Sequence, residues 1–167
     1  MRDLETHACP CGYLTDTKKE CRCSPLQIQR YRSKISGPLL DRIDIHIEVP
    51  SVTYEEFKSN QKEESSALIR ARVEQARNIQ RERFHFQKIF TNADMGHKQL
   101  KKYCELDQES ETLLKTAFED LHISARAHDR ILKVARTIAD LSGEKKIKSV
   151  HIAEAINFRS FDRSYID

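Results

Sequence analysis

The stretch S-G-P-L-L-D-R-I-D-I-H-I-E-V-P, Ser36 to Pro50, decides how the rest of the chain is read. Ser36-Gly37-Pro38 reads as a turn and Leu39 to Arg42 as one turn of helix. Ile43 to Val49 reads as a strand that Pro50 closes. Within it Ile43, Ile45, Ile47 and Val49 alternate with Asp44, His46 and Glu48, the period of a strand with one buried face. Arg42 then falls at a helix-to-strand junction with apolar anchors on both sides. A guanidinium held this way can fork onto a phosphate with little entropy left to lose. On the local pattern alone, a surface salt bridge to Asp41 or Asp44 is the more ordinary reading.

Upstream lies C-P-C-G-Y-L-T-D-T-K-K-E-C-R-C, a C-x-C-x9-C-x-C arrangement of Cys9, Cys11, Cys21 and Cys23. Four thiolates in one loop can close a tetrahedral zinc site, and a closed four-cysteine site is structural rather than catalytic. Lys18, Lys19 and Arg22 would offset its negative charge. The one-residue gaps depart from the commoner C-x-x-C, so reduced thiols or reversible disulfides remain alternatives, with an iron–sulfur cluster behind them. Ser24 and Pro25 are start signals for a helix over 26–33. It carries Arg30 and Arg32 and leads to Lys34, cations suited equally to phosphates and to solvent.

Downstream of Pro50 the chain turns polar, with a short helical turn expected at Tyr54–Phe57 and a linker over 53–65. After it the periodicity is helical. Ile69, Val73, Ala76, Gln80 and Phe84 share one face of a helix expected over 66–84, beside a stripe of Arg70, Glu74, Arg77 and Arg81. That stripe reads more readily as a solvated face than as a DNA-binding one. A loop is expected over 85–96. Helices follow at 97–104 and 108–121, with Asp107 as N-cap of the second and Cys104 as a core thiol. In I-S-A-R-A-H-D-R-I-L-K-V-A-R-T-I-A-D-L, residues 123–141, Ser124 is the N-cap. Ile131, Leu132, Ala135, Ile138 and Ala139 form the buried face, and Arg126, Arg130, Lys133 and Thr137 another. Arg126 sits in the first turn, where a cation opposes the helix dipole and so suggests a nearby anion. An ordinary charged amphipathic helix is the plainer reading. Gly143 ends this helix, a last one is expected over 149–159, and the tail after Phe161 is expected to fray.

The 167 residues suffice for one domain, or one domain and part of another. A net charge of +3 does not by itself argue for nucleic acid. No apolar run reaches the roughly 20 residues of a membrane span. With no secretory signal at the start, a cytoplasmic location is expected. Thiols clustered in a reducing cytosol favour metal over disulfides.

C-P-C-G-Y, S-G-P-L-L-D-R-I-D-I and L-K-V-A-R-T-I-A-D-L together resemble the ComM (YifB) subfamily of magnesium-chelatase-like AAA+ ATPases, over Cys9 to about Arg163. The resemblance implies an arginine finger at Arg42, reaching the ATP of a neighbouring subunit, and a sensor-2 arginine at Arg126, with Arg130 beside it on the nucleotide. Arg130 and Arg136 are alternatively contacts to the core domain or to the neighbouring subunit. In the family, M-N-P precedes C-P-C-G-Y and supplies a sensor Asn. Here Thr6-His7-Ala8 stands there, with His7 in the place of the Asn.

The expected fold is mainly α: a helical lid bundle preceded by a Cys-rich loop, a short helix and one β-strand from the edge of an AAA+ α/β core. Residues 1–52 form that edge, 53–65 the linker and 66–163 the lid. There is no G-x-x-x-x-G-K-[ST] loop and no strand ending in paired acids for magnesium. The chain alone is therefore expected not to hydrolyse ATP. Joined to its missing N-terminal ATPase core, and with ATP and magnesium, it would serve a ring, expected hexameric, that remodels DNA by helicase-type branch migration in natural competence. The other reading is a stand-alone zinc-containing module that docks nucleic acid or a protein through Arg30, Arg32, Arg70, Arg77 and Arg81. A relic that merely folds as a bundle is a third, and magnesium insertion into a porphyrin is the weakest.

Overall fold

A computed structural model describes residues 5–16, 18–50, 52–58, 64–120 and 123–159. The middle of the expected linker and the tail after Phe161 lie outside them. In chain order the helices are α1 (Pro25–Arg32), α2 (Gly37–Leu40), α3 (Tyr54–Lys58), α4 (Ser66–Arg83), α5 (His97–Tyr103), α6 (Gln108–Asp120), α7 (Ala125–Leu141) and α8 (Ser149–Asn157), with a 3-10 turn at Asn92–Asp94. The architecture is helical, as expected.

The spine of the bundle is α7. Ser124 Oγ accepts from the Ala127 N–H at 3.1 Å and starts the helix. Gly143, at φ 69°, ends it in a Schellman turn, where Gly143 N–H donates to Asp140 O and Glu144 N–H to Ala139 O. All five apolar residues assigned to its buried face are buried. They pack against α4, α5, α8 and the 3-10 turn, while α6 packs against α8. The core they join also includes Phe84, Met95, Leu100, Leu114, Ile147 and Ile152. The Asp107 carboxylate accepts from Ser110 N–H at 2.8 Å and caps α6. Cys104 lies in the core, and burial pushes its thiol up to about 11.

Two expectations need correction. The segment 43–49 forms no strand, because no other segment among the described residues pairs with it in a ladder. Among the described residues it is tied to the bundle through its backbone by the His46 N–H, which donates to the Phe158 carbonyl at 2.8 Å. The alternation survives with its face turned outward: Ile47 and Val49 are 66% and 82% exposed, while His46 is buried. The second correction concerns α4. Its apolar face is buried only from Ala76 onward, and Ile69 and Val73 remain exposed because the partner helices contact its C-terminal half.

Candidate functional site

The four-cysteine loop is built by two turns. Gly12 N–H donates to Cys9 O at 3.1 Å, and Gly12 takes φ 82°, a conformation that glycine adopts at no steric cost. The Asp16 carboxylate accepts from the N–H groups of Lys18 and Lys19, turning the chain back. Cys9, Cys11, Cys21 and Cys23 thereby converge, with their sulfurs all within 4.8 Å of one another. Cys9–Cys11, Cys9–Cys21 and Cys11–Cys21 are 3.3, 3.7 and 3.6 Å apart. Four sulfurs at about 2.3 Å from a tetrahedral zinc stand roughly 3.8 Å apart, so the spacing fits the ion.

The electrostatics fit too. The N–H of Tyr13 and the Cys9 thiol draw the Cys11 thiol down to about 6, whereas burial and the neighbouring sulfurs push Cys23 up to about 12. The Cys23 N–H supports the Cys21 sulfur, yet burial and the adjacent sulfurs still raise it. Sulfurs this close cannot all ionise without a cation among them. The backbone N–H donors are the outer support expected around metal thiolates. Arg32 Nε donates to Ala8 O at 3.3 Å and ties α1 to this loop.

The second constellation surrounds Arg42. Its side chain is exposed and makes no hydrogen bond or ion pair among the described residues. The carboxylates that local reading offered it are engaged elsewhere. Asp41 accepts from Ser124 Oγ at 3.1 Å and faces Arg159 Nη2 at 3.7 Å. Asp44 pairs with Arg130 Nη1. Arg159, 1% exposed, also donates through Nη1 to the Ile43 carbonyl at 2.5 Å. The two aspartates near Arg42 thus hold the N-terminal part of α7, through Ser124 and Arg130, and Arg159 just past α8. Burial, together with the nearby Arg159 cation, lowers Arg130 below its ordinary value, and Asp41 partly offsets this.

Arg126, two residues past Ser124, is exposed and makes no hydrogen bond or ion pair among the described residues. Arg136 is not at the surface. It donates to the carbonyls of Glu144 and Lys145 and to Asp140, and so holds the turn after α7. His7 is exposed at the mouth of a groove that runs between the cysteine loop and residues 43–50. Sequence reading named Arg42, Arg126 and the four cysteines, but not the roles of Asp41, Asp44 and Arg159. The two acids were visible beside Arg42, whereas Arg159 gave no signal in the sequence.

Residues 63–159 match the family model described as magnesium chelatase, subunit ChlI C-terminal, and residues 4–57 match magnesium chelatase, subunit ChlI. The chain is 42% identical to competence protein ComM of Haemophilus influenzae over 155 residues, 92% of this chain and 29% of that protein. It is 38% identical to the uncharacterized protein YifB of Salmonella typhimurium over 146 residues, 87% of this chain and 28% of that one. The uncharacterized YifB of Escherichia coli matches at 38% over the same shares. The chain thus spans less than a third of the length of these relatives.

Proposed function

This chain belongs to the family described as magnesium chelatase, subunit ChlI C-terminal, and from that membership we propose that it supplies arginines to the ATP sites of a ring-shaped DNA-remodelling motor. Arg42 is the finger, acting on nucleotide held by a neighbouring subunit. Arg126 is the sensor that contacts nucleotide from the lid. Arg130 gives its Nη1 to Asp44, so we assign it to the seam beside Arg42 rather than to nucleotide. The observation that carries the reading is Arg42 itself: an exposed guanidinium on a braced turn, with both adjacent carboxylates engaged elsewhere. A cation so placed keeps its donors for an anion from outside the chain.

The division into a core edge at 1–52, a linker at 53–65 and a lid at 66–163 is part of this proposal, and the two family matches support it. So are the hexameric ring, the DNA and the cytoplasmic setting. Among the described residues no helix is long and apolar enough to cross a membrane. The cysteine loop binds one structural zinc through Cys9, Cys11, Cys21 and Cys23, which the sulfur spacing supports. The ion would fix the loop against α1 and take no part in ATP chemistry.

The test is Arg42→Ala in a protein that joins this chain to its ATPase core. Arginine fingers typically contribute about 10³–10⁵ in rate. We expect turnover to fall by at least 10³ while ATP affinity stays within twofold. Turnover kept within tenfold of the parent rejects the finger.

A stand-alone zinc module is the second reading, favoured by the same sulfur geometry. It requires the isolated chain to bind DNA with an affinity that falls steeply with salt.

A further inference from the structure

The two arginines assigned above are physically connected. Asp41, the residue before Arg42, accepts from the hydroxyl of Ser124, two residues before Arg126. That hydroxyl oxygen is also the N-cap of α7, so displacing the helix end displaces the carboxylate's partner. Three further ties lie alongside: Asp44 with Arg130, Arg159 with Asp41 and the Ile43 carbonyl, and His46 N–H with the Phe158 carbonyl. With the Ser124–Asp41 bond they span 83 to 118 positions along the sequence, so each closes a long loop, which only a persistent contact offsets. Arg159 is 1% exposed, faces the Asp41 carboxylate and lies near the Arg130 cation. A buried guanidinium that is hydrogen-bonded to the Ile43 carbonyl and ion-paired with Asp41 holds both against the end of α8.

From this geometry we infer that Asp41, Asp44, Ser124, Arg130 and Arg159 form a seam of positioning residues that sets the Arg42 turn according to where the lid stands. The inference rests on the finger assignment and deepens it. Nucleotide contacted by Arg126 at the start of α7 biases the lid. The Ser124–Asp41 contact passes that bias one residue further, to Arg42, which acts in the neighbour. A subunit's own nucleotide thereby tunes catalysis next door. None of the five side chains touches nucleotide; each acts through Arg42.

The experiment compares Asp41→Ala, the milder Asp44→Ala and Arg42→Ala, each alone, with the double variants Asp41→Ala/Arg42→Ala and Asp44→Ala/Arg42→Ala, in the protein joined to its ATPase core. It is paired with amide hydrogen exchange on the 167-residue chain. In the chain, Asp41→Ala is expected to speed exchange of the hydrogen-bonded Arg42, Ile43 and His46 amides by at least tenfold and to leave those of Ile131 to Ala139 unchanged. In the assembly, each aspartate variant is expected to lower turnover at least tenfold with ATP affinity within twofold, and each double variant to match Arg42→Ala alone. That non-additivity marks residues that act through another. Unchanged exchange at 42–46 in both aspartate variants overturns the seam. A double variant tenfold slower than Arg42→Ala shows that the aspartates act independently of the finger and overturns the positioning role. Unaltered turnover in Arg42→Ala overturns the finger assignment and, with it, the catalytic half of this inference, whatever the exchange shows. Should Asp41→Ala lose its far-ultraviolet circular dichroism, Asp44, which is half-exposed, carries the same test.

Discussion

At the residue scale the chain shows three kinds of arginine that composition cannot separate. Arg42 and Arg126 stand free of partners among the described residues, Arg130 and Arg159 hold the seam, and Arg83 and Arg136 are locked inside. The inner pair converges on Asp140, whose side chain is fully buried. Arg83 donates to both its oxygens at 2.6 and 2.5 Å, Arg136 Nε at 3.2 Å and Asn92 Nδ2 at 2.8 Å. Removing this carboxylate leaves two largely buried cations with carbonyl partners but no opposing charge. Asp140→Ala is therefore expected to destabilise the bundle by about 3–5 kcal/mol, a large share of the ~5–15 kcal/mol that holds an ordinary domain. Urea unfolding checks it, and a midpoint unchanged from the parent would show the network to be dispensable. Cys104 sets a pH limit. Its folded thiol titrates near 11 rather than near 9 because burial penalises the thiolate. Between those values the folded state binds more protons than the unfolded one, so stability is full below pH 9 and falls as pH rises. The slope is about 1.4 kcal/mol per pH unit up to 11. Cys104→Ala should flatten that slope in denaturant titrations between pH 9 and 11.

At the element scale, α7 was legible from its sequence because three independent signals agreed. The apolar positions recur at helical spacing, Ser124 caps one end, and Gly143 takes the positive φ that ends the other. The same agreement makes α6 readable through Asp107. Segment 43–49 shows the opposite case. Its alternation is as clear as any in the chain, but a strand is a relation between two segments and a periodic pattern describes only one. The cysteine loop is the element with the sharpest chemical expectation. Purified under reducing conditions, the chain should carry one zinc per molecule by elemental analysis, and the Cys21→Ser/Cys23→Ser variant should carry none. A metal-free parent chain would leave the four sulfurs as thiols.

At the scale of the whole molecule two regions differ in what holds them. The apolar core draws its buried residues from Phe84 to Ala155, and none from the cysteine loop or from α1. Zinc removal by a chelator should therefore leave the main thermal transition of the helices within about two degrees, while the four loop thiols become reactive toward a thiol reagent. A transition that falls with the metal would show the loop to be integral to the bundle.

The helical bundle, its caps, the four-cysteine cluster and the family are all written in the order of the residues. Each of these is encoded locally, in spacings of a few residues or in motifs read in one place. Which arginines are occupied depends instead on how the helices pack. Asp41 and Asp44 lie beside Arg42 in the chain yet bind Ser124, Arg130 and Arg159, 83 to 118 positions away. A carboxylate's partner is fixed by which helix end the packed core brings against it. That placement depends on how α7 and α8 pack together, which no local pattern contains.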